Sequence, residues 1–317
     1  ISLDFAPDWI WIKQRSATRY HNLQDTIRGT GLQLFSNTTS ADNSDGTNIT
    51  AFNSDGYSLG AGDNVNKNTS TYVGWSWKAG GSASSNSDGN ITSSVSVNTT
   101  AGFSIVSYTG TGGGKTVGHG LGVAPRVFFM KNRGSADYNW SVWHADLATP
   151  TTARLGLNVA TAQQNHSSYW NDGVPSATIL NLGSDAGHNA NGDTYIAYCF
   201  AEKKGYSKFG TYEGNGIDDG PFIYTGFAPA FVMVKCFDQG EHWNIYDNKR
   251  GSSLALSPNL EVADRAMDDS PAMELLSNGF KIRTSDNNLS NAADGFIYMA
   301  FAAEPFVTSK GVPATAK

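Results

Sequence analysis

One short phrase occurs three times in this sequence and constrains the fold more than any other feature. It consists of a small apolar lead-in, a proline, an apolar run and a lysine that comes six residues after the proline. The copies are FAPDWIWIKQR (5–15), VAPRVFFMKNR (123–133) and FAPAFVMVKCF (227–237). Continuous apolar runs of this length are typical of strands that are buried on both faces. Three copies of one strand therefore indicate three copies of one structural unit.

Each copy is followed by the same series of landmarks. A Leu-x-Leu strand comes first, then a hairpin signal with Asn or Ser before Gly, and then an aromatic-rich strand about 65 to 70 residues after the proline. The closing strands are YVGWSW (72–77), YIAYCF (195–200) and FIYMAF (296–301). A further aromatic landmark follows each proline at Tyr20, Trp140 and Trp243. Landmarks in one order at near-constant spacing support a true internal repeat.

Composition agrees with strands rather than helices. The chain has 35 glycines and only 16% charged residues, with Asn, Ser and Thr in the connections. Such a mixture favours short strands joined by tight turns. We therefore predict an all-β fold of tandem antiparallel β-sandwiches, jelly-roll or lectin-like, with three internal repeats.

The repeats predict where the units begin and end. Unit 1 is expected at 1–80, with its opening strand missing or upstream, unit 2 at 102–205 and unit 3 at 206–306. Residues 81–101, rich in Gly and Ser, are expected to be a flexible linker, and residues 307–317 a C-terminal tail.

Charge and cysteine usage exclude several functions. A net charge of −6 and a pI near 5.5 argue against a nucleic-acid partner. No apolar run approaches the length of a membrane helix, so membrane insertion is not expected. The two cysteines, Cys199 and Cys236, lack metal-ligand spacing. Cys199 is expected to be a small buried thiol, and neither a metal nor a cofactor is predicted.

The motifs that resemble chemical sites have simpler explanations. GTGGGKT (110–116) resembles a phosphate-binding loop, but the segment after it cannot form the required helix, so a hairpin turn is expected. The acidic clusters at 42–46 and 218–219 could bind calcium, yet turn chemistry explains Asn, Asp and Gly equally well. Glutamates are scarce and no nucleophile motif is present. The sequence therefore predicts no catalytic residues and no enzyme activity.

The binding candidates lie in a loop that the other units do not share. Most tryptophans fall on repeated landmarks and are expected in the core, but Trp170 lies in HSSYWNDG (166–173). Three roles stay open for it: stacking on a sugar ring, packing against a neighbouring chain, or capping its own sandwich. With Trp170, the candidate binding residues are Tyr169, Asn171 and Asp172. The unrepeated stretches 38–53 and 160–175 are where recognition is expected, since loops carry most binding functions.

Several joined phrases resemble a known family. They include GFSIVSYTGTG (102–112), TVGHGLGVAPRVFFMKNR (116–133), YSKFGTYEGNG (206–216) and DGPFIYTGFAPAFVMVK (219–235). These resemble virion structural and tail-fibre-like proteins of marine tailed bacteriophages, such as cyanophages and pelagiphages, over most of the chain. The resemblance implies a location on the surface of the virion and contacts with other virion proteins. It assigns no catalytic residues.

Three functions follow as expectations. The first is a tail-fibre or appendage protein that contributes to recognition of a host-surface glycan or protein. The second is a capsid decoration or connector with a purely structural role, and a glycan depolymerase is a remote third. Self-association is expected. A homotrimer and a pseudo-threefold arrangement within one chain both remain open.

Overall fold

The fold consists of short antiparallel strands. The computed structural model describes residues 1–251, 253–266 and 271–303, and the backbone of two short strands at 306–307 and 313–314. Within these ranges the four helices have a single turn each, and the strand ladders are antiparallel. The all-β prediction is therefore confirmed.

Unit 1 forms one five-stranded sheet and one hairpin. Its elements are β1 (Trp9–Gln14), β2 (His21–Asp25), β3 (Leu32–Phe35), β4 (Asn43–Ser44), β5 (Ile49–Asn53), β6 (Gly56–Leu59), α1 (Asp63–Asn66) and β7 (Tyr72–Trp77). The sheet order is β4-β3-β2-β1-β7, and β5 pairs with β6 over its outer face. The repeated strand β1 thus lies beside the closing strand β7.

Residues 81–184 build most of the second sheet. The elements are β8 (Ser84–Asn86), β9 (Ser93–Asn98), β10 (Phe103–Thr109), β11 (Lys115–Gly118), β12 (Val127–Asn132), β13 (Ser141–His144), β14 (Ala153–Gly156), β15 (Gln164–Asn165), α2 (Ser167–Trp170) and β16 (Ile179–Leu182). Helix α3 (Ala186–Asn189) and the closing strand β17 (Thr194–Phe200) follow. The main sheet has the order β15-β14-β13-β12-β17-β10-β9-β8, and β11 pairs with β16 in a second layer.

The third sheet repeats this plan. Its elements are β18 (Ser207–Glu213), β19 (Phe222–Tyr224), β20 (Pro229–Cys236), β21 (Asn244–Asp247), β22 (Leu254–Ala255), β23 (Arg265–Ala266), β24 (Met273–Leu276), β25 (Gly279–Ile282), α4 (Asn287–Ser290) and β26 (Gly295–Ala302). The main sheet is β18-β26-β20-β21, and β19-β25-β24 covers its outer face. Two short strands, β27 (Phe306–Val307) and β28 (Pro313–Ala314), pair with each other.

The expected linker at 81–101 and the expected hairpin at 110–116 are both wrong. Strands β8 and β9 lie inside the former, and β9 pairs with β10 from Ser94 to Asn98. Val95 and Val97 alternate with serines there, the period-two pattern of a half-buried strand, and β9 lies between β10 and the edge strand β8. The segment 110–114 connects β10 in the main sheet to β11 in the second layer, so it crosses between layers instead of joining paired neighbours.

The repeated opening and closing strands pair in one register in all three units. Lys13 faces Val73, Lys131 faces Ile196 and Lys235 faces Ile297. The three opening strands are buried along both faces, as their apolar runs predict.

The three repeated lysines lie inside this buried layer. Each side chain bends so that Nζ donates to the backbone carbonyl of the next residue: Gln14, Asn132 and Cys236. Burial lowers the pKa of each lysine to about 8. The lysines therefore close the turn that follows each opening strand.

The inner faces of the three main sheets share one hydrophobic core. The last aromatic residues of the closing strands, Trp77, Phe200 and Phe301, contact one another with ring centroids 5.7 to 6.2 Å apart. Trp9 also stacks on Tyr198 at 4.4 Å. The outer face of each main sheet has its own smaller apolar cluster, so each unit is a two-layered, sandwich-like structure.

Units 1 and 2 meet at a buried ionic network, which we call seam 1/2. The side chains of Arg28 and Asp25 are both fully buried, and Arg28 Nε donates to Asp25 Oδ2 at 2.6 Å. Arg28 also binds Asp42 at 3.1 Å, and Asp42 binds Arg133 of unit 2 at 2.7 Å. The Tyr198 hydroxyl of unit 2 donates to Asp25 at 2.7 Å. Burial alone would lower the pKa of Arg28, but the charges of Asp25 and Asp42 hold it above its usual value.

An equivalent network of different residues joins unit 3 to unit 1, at a boundary that we call seam 3/1. Arg250 Nε donates to Asp247 at 2.6 Å and its Nη1 to Asp264 at 2.9 Å. Asp264 binds Arg15 of unit 1 at 2.7 Å. Trp75 of unit 1, which takes the place of Tyr198, donates its indole N–H to Asp247 at 3.3 Å.

Seam 2/3, between units 2 and 3, lacks these charges. By strand register and spacing, His144 stands where the other seams have Asp25 and Asp247, and Leu147 stands where they have arginine. Gln163 N donates to Phe237 O at 2.8 Å, as Asp42 N does to Arg133 O at 3.0 Å. A cavity of about 10 Å³ lies at this seam, and its lining includes His144, Met233 and Met299.

One landmark of the repeat is shifted by a residue. The residue opposite Lys13 is the buried His21, whereas Tyr20 is 37% exposed. His21 accepts a hydrogen bond from the Trp11 indole at 2.9 Å through Nδ1. Trp140 and Trp243 are buried as predicted, and their indoles donate to Phe35 O and Gly156 O of the neighbouring units.

Candidate functional site

The predicted binding loop is largely part of the core. Trp170 ends helix α2 and is 1% exposed, with its indole N–H donating to Ala153 O at 2.7 Å. Its ring meets Phe128 edge-on at 5.1 Å and lies 4.5 Å from His188. Trp170 therefore caps its own sandwich and cannot stack on a sugar ring. Of the three roles left open by the sequence, the burial of Trp170 supports the capping of its own sandwich.

The neighbours of Trp170 are more exposed but hold the loop together. Tyr169 is half-buried under the guanidinium of Arg154, which lies 4.1 Å from the ring centroid. Asn171 and Asp172 are exposed and have positive φ angles of 52° and 53°. This left-handed pair ends α2 and turns the chain. The other unrepeated stretch, 38–53, also contributes to the packing of the units, since its Asp42 belongs to seam 1/2.

The side chains of Ser141, His188 and Asp185 have the arrangement of a catalytic triad, but the serine and the histidine lack access to solvent. Ser141 Oγ lies 2.8 Å from His188 Nε2, and Asp185 Oδ1 lies 3.4 Å from His188 Nδ1. Ser141 and His188 are both completely buried. Burial, together with the charge of Arg154, lowers the pKa of His188 well below its usual value. A nucleophile must reach a substrate carbonyl, and Ser141 cannot, so these residues serve packing and hydrogen bonding.

Possible metal ligands do not cluster in the described part of the chain, where no group of three or more His, Cys, Asp or Glu side chains is close enough to hold a metal ion. Cys199 and Cys236 are free and buried, as expected for Cys199, and burial raises the pKa of the Cys199 thiol to about 12. None of the helices in the described ranges is long and apolar enough to cross a membrane.

A surface groove in unit 3 has the features of a binding site. Tyr224 at the end of β19 is 64% exposed, and Phe222, on the same face of the strand, is 46% exposed. Tyr224 borders a groove of about 280 Å³. The Tyr224 ring lies over Gly226, whose φ of +84° fits glycine.

The rest of the groove is polar. The connection between β17 and β18 supplies Glu202 and Lys204, and β18 supplies Lys208. Lys208 Nζ binds Glu202 at 2.9 Å, and both side chains are about one-third exposed. Thr225 is fixed beneath Tyr224 because its hydroxyl donates to Phe227 O at 2.7 Å. In such a groove, the exposed ring can contact an apolar face of a ligand, while the neighbouring charged side chains hydrogen-bond hydroxyl groups of the same ligand.

The aromatic pair is specific to unit 3. Counting back five residues from each repeated proline gives Tyr224, Gly120 and Ser2, so only unit 3 has a ring at this position. The prediction from sequence missed the groove because FIY resembles a buried strand. The signal in the sequence is the aromatic residue five positions before the proline, which occurs in unit 3 and not in the other two units.

With this geometry established, the comparisons with known proteins place the chain in a family. Residues 1–305 match the family described as "Domain of unknown function (DUF7483)". The chain therefore belongs to the DUF7483 family. No curated protein and no solved structure matches the chain.

Proposed function

We propose that the protein is a structural component of a bacteriophage virion, a tail-fibre or appendage part with three jelly-roll- or lectin-like repeats around a pseudo-threefold axis. The resemblance of its phrases to marine phage proteins supports the phage assignment. The common register of the lysines and the contact among Trp77, Phe200 and Phe301 support the symmetry. In this proposal the protein is not an enzyme, and it lies on the particle surface in contact with other virion proteins.

The groove beside Tyr224 is the proposed contact with a host-surface glycan. The observation that carries this assignment is the pair of exposed rings, Phe222 and Tyr224, on a strand held by β25. A pyranose ring offers an apolar C–H face to an aromatic ring, and its hydroxyls match the Glu202 and Lys208 side chains. Units 1 and 2 lack the ring, so one chain would carry one such site.

Binding of the purified chain to host-surface glycans tests the proposal. Tyr224→Ala should abolish saturable binding to a glycan array or to host cells, whereas Tyr224→Phe should retain it because the ring remains.

Trp170→Ala is a poor test because it opens a core cavity. Tyr20→Ala, at an exposed tyrosine in unit 1, is the matched control. Because Tyr224 is a surface residue, its loss should change the free energy of unfolding by less than about 0.5 kcal/mol. Unchanged binding by Tyr224→Ala would contradict the assignment of the groove as the glycan contact.

A capsid decoration or connector with a purely structural role is the second candidate. The specific observation in its favour is the edge of β7, which has no partner strand in the described part of the chain. Electron microscopy of the assembled particle distinguishes the two. Density for this chain on the capsid lattice would overturn the appendage assignment, and density in the tail would support it.

A further inference from the structure

The closing strand of unit 1 differs from its two counterparts in one respect. β17 lies between β12 and β10, and β26 lies between β20 and β18, so each is paired on both sides. β7 pairs with β1 alone and ends its sheet. The position that β10 and β18 fill in the other sheets is thus unfilled beside β7 in the described part of the chain.

The backbone of β7 presents hydrogen-bonding groups at this edge. Arg15 N donates to Thr71 O at 2.8 Å, so residue 71 faces β1. Because alternate residues of a strand point their N–H and C=O groups to opposite sides, Tyr72, Gly74 and Ser76 direct theirs away from β1. Among residues 1–251, 253–266 and 271–303, these outward N–H and C=O groups have no hydrogen-bond partner.

The edge also lacks the usual protection. Natural edge strands are blunted by charges, prolines or bulges, but YVGWSW (72–77) contains no charge and no proline, and its register with β1 is unbroken. Gly74 is exposed, whereas the equivalent residues of β17 and β26 are buried. An unprotected edge of six residues is a template for another strand.

The two filled positions indicate what the missing strand must carry. Tyr108 of β10 stacks on Tyr195 at 5.0 Å, and Tyr212 of β18 stacks on Phe296 at 4.9 Å. Three residues earlier, Ile105 and Phe209 enter the shared core. The common pattern is a large apolar residue, two further residues and a tyrosine.

Strand β7 has the matching aromatic. By register, Tyr72 is the counterpart of Tyr195 and Phe296. Its hydroxyl donates to Asp63 O at 2.9 Å and accepts from Lys67 N at 2.7 Å, so the ring is held in place. Tyr72 is half-buried, and its ring is available for a stacking partner.

We propose that the β7 edge binds an antiparallel strand of a partner polypeptide that carries the apolar-x-x-Tyr pattern. The strand adds to the sheet through Tyr72, Gly74 and Ser76, places its apolar residue in the core beside Trp75, and stacks its tyrosine on Tyr72. This is recognition by β-strand addition, in which backbone hydrogen bonds supply affinity and side chains supply specificity. The proposal goes beyond glycan recognition and does not depend on it.

A labelled peptide of residues 206–214 (YSKFGTYEG) tests the proposal on the 317-residue chain. Fluorescence anisotropy should show saturable binding. Replacing the peptide tyrosine at 212 with alanine should weaken it about tenfold, since an aromatic pair contributes up to roughly 1.5 kcal/mol. Gly214 N donates to Asp294 O, so residues 210 and 212 face the closing strand. N-methylation of the peptide at these two residues should abolish binding without any change in the protein.

Two protein variants complete the test. Ser76→Pro removes an outward N–H, and Ser76→Ala retains it as the matched control. Binding should be lost in Ser76→Pro and kept in Ser76→Ala. Binding that survives both Ser76→Pro and the N-methylated peptide would overturn the proposal, as would an absence of binding to the wild-type chain. Dimerisation of the free chain that Ser76→Pro abolishes would instead assign the edge to a second copy and overturn it too.

Discussion

Seams 1/2 and 2/3 join the same faces of the units in chemically different ways. The first buries an arginine between two aspartates, and the second has His144, Leu147 and Gln163 at the corresponding positions. The backbone hydrogen bond at the edge is nevertheless the same, from Asp42 in one and from Gln163 in the other. The main-chain arrangement therefore does not require the ions.

The difference teaches what the ions contribute. Taking charges out of water costs several kcal/mol per ion, and this cost is recovered only when every partner is present. In seam 1/2, Arg28 satisfies Asp25, Asp42 and the carbonyl of Leu23 together. We infer that the network specifies which units meet, whereas apolar packing supplies most of the stability.

Breaking the ionic seam should have the largest effect. Arg28→Met leaves Asp25 fully buried without its cation, and the expected loss in the free energy of unfolding is about 3 to 5 kcal/mol. Leu147→Met at the equivalent position of seam 2/3 is the matched control, with an expected loss below about 1.5 kcal/mol. Urea unfolding of both variants measures the difference. Equal losses would show that the charges of seam 1/2 are not coupled to folding.

Acid should weaken seam 2/3 through His144. Burial lowers the pKa of His144 to about 4, although Asp146 opposes the shift. Because the unfolded state then binds the proton more readily, the stabilisation is complete above about pH 6.5 and is lost as pH falls towards 4. The full shift corresponds to about 3 kcal/mol at most.

His144→Gln should remove this part of the acid dependence. Thermal unfolding between pH 7 and pH 4 measures it, with His166→Gln in an exposed turn as the control. A variant with the same loss of stability as the wild type would assign the acid sensitivity to other groups.

Adding charge to seam 2/3 should have the smallest effect. Gln163→Asp with Phe237→Arg introduces the pair that Asp42 and Arg133 form in seam 1/2, where each side chain is 14% exposed. Partly exposed ion pairs contribute little, so the double variant should differ from the two single variants by less than about 1 kcal/mol beyond additivity. A double-mutant cycle in urea measures this coupling. A coupling well above that bound would show that the seam is preorganised for charge.

The charged residues of the two ionic seams recur in the sequence, although they are not among the apolar landmarks that define the repeat. Asp25 and Arg28 recur as Asp247 and Arg250, and a second aspartate follows each arginine by fourteen residues. Aligning the units would have revealed the pattern. Its absence from unit 2 hides it, because Leu147 resembles an ordinary core residue.

Other errors came from local composition. The Gly- and Ser-rich stretch 81–101 has the composition of a linker, but two valines at alternate positions are enough for strand β9 to pair with β10. The polar residues around Trp170 leave three roles open for it in the sequence, because they do not show which way the ring points. The helical turn α2 instead directs it into the core against Phe128.

The sequence by itself determined the all-β class, the buried opening strands and the order of landmarks, since alternation, apolar runs and proline spacing are local properties of the chain. Only the tertiary structure decided that three closing strands meet at one core, that two seams are ionic, and that β7 keeps a free edge in the described part of the chain. These features depend on pairs of residues far apart in sequence. No local pattern specifies such pairs, because their energy exists only when distant units are packed together.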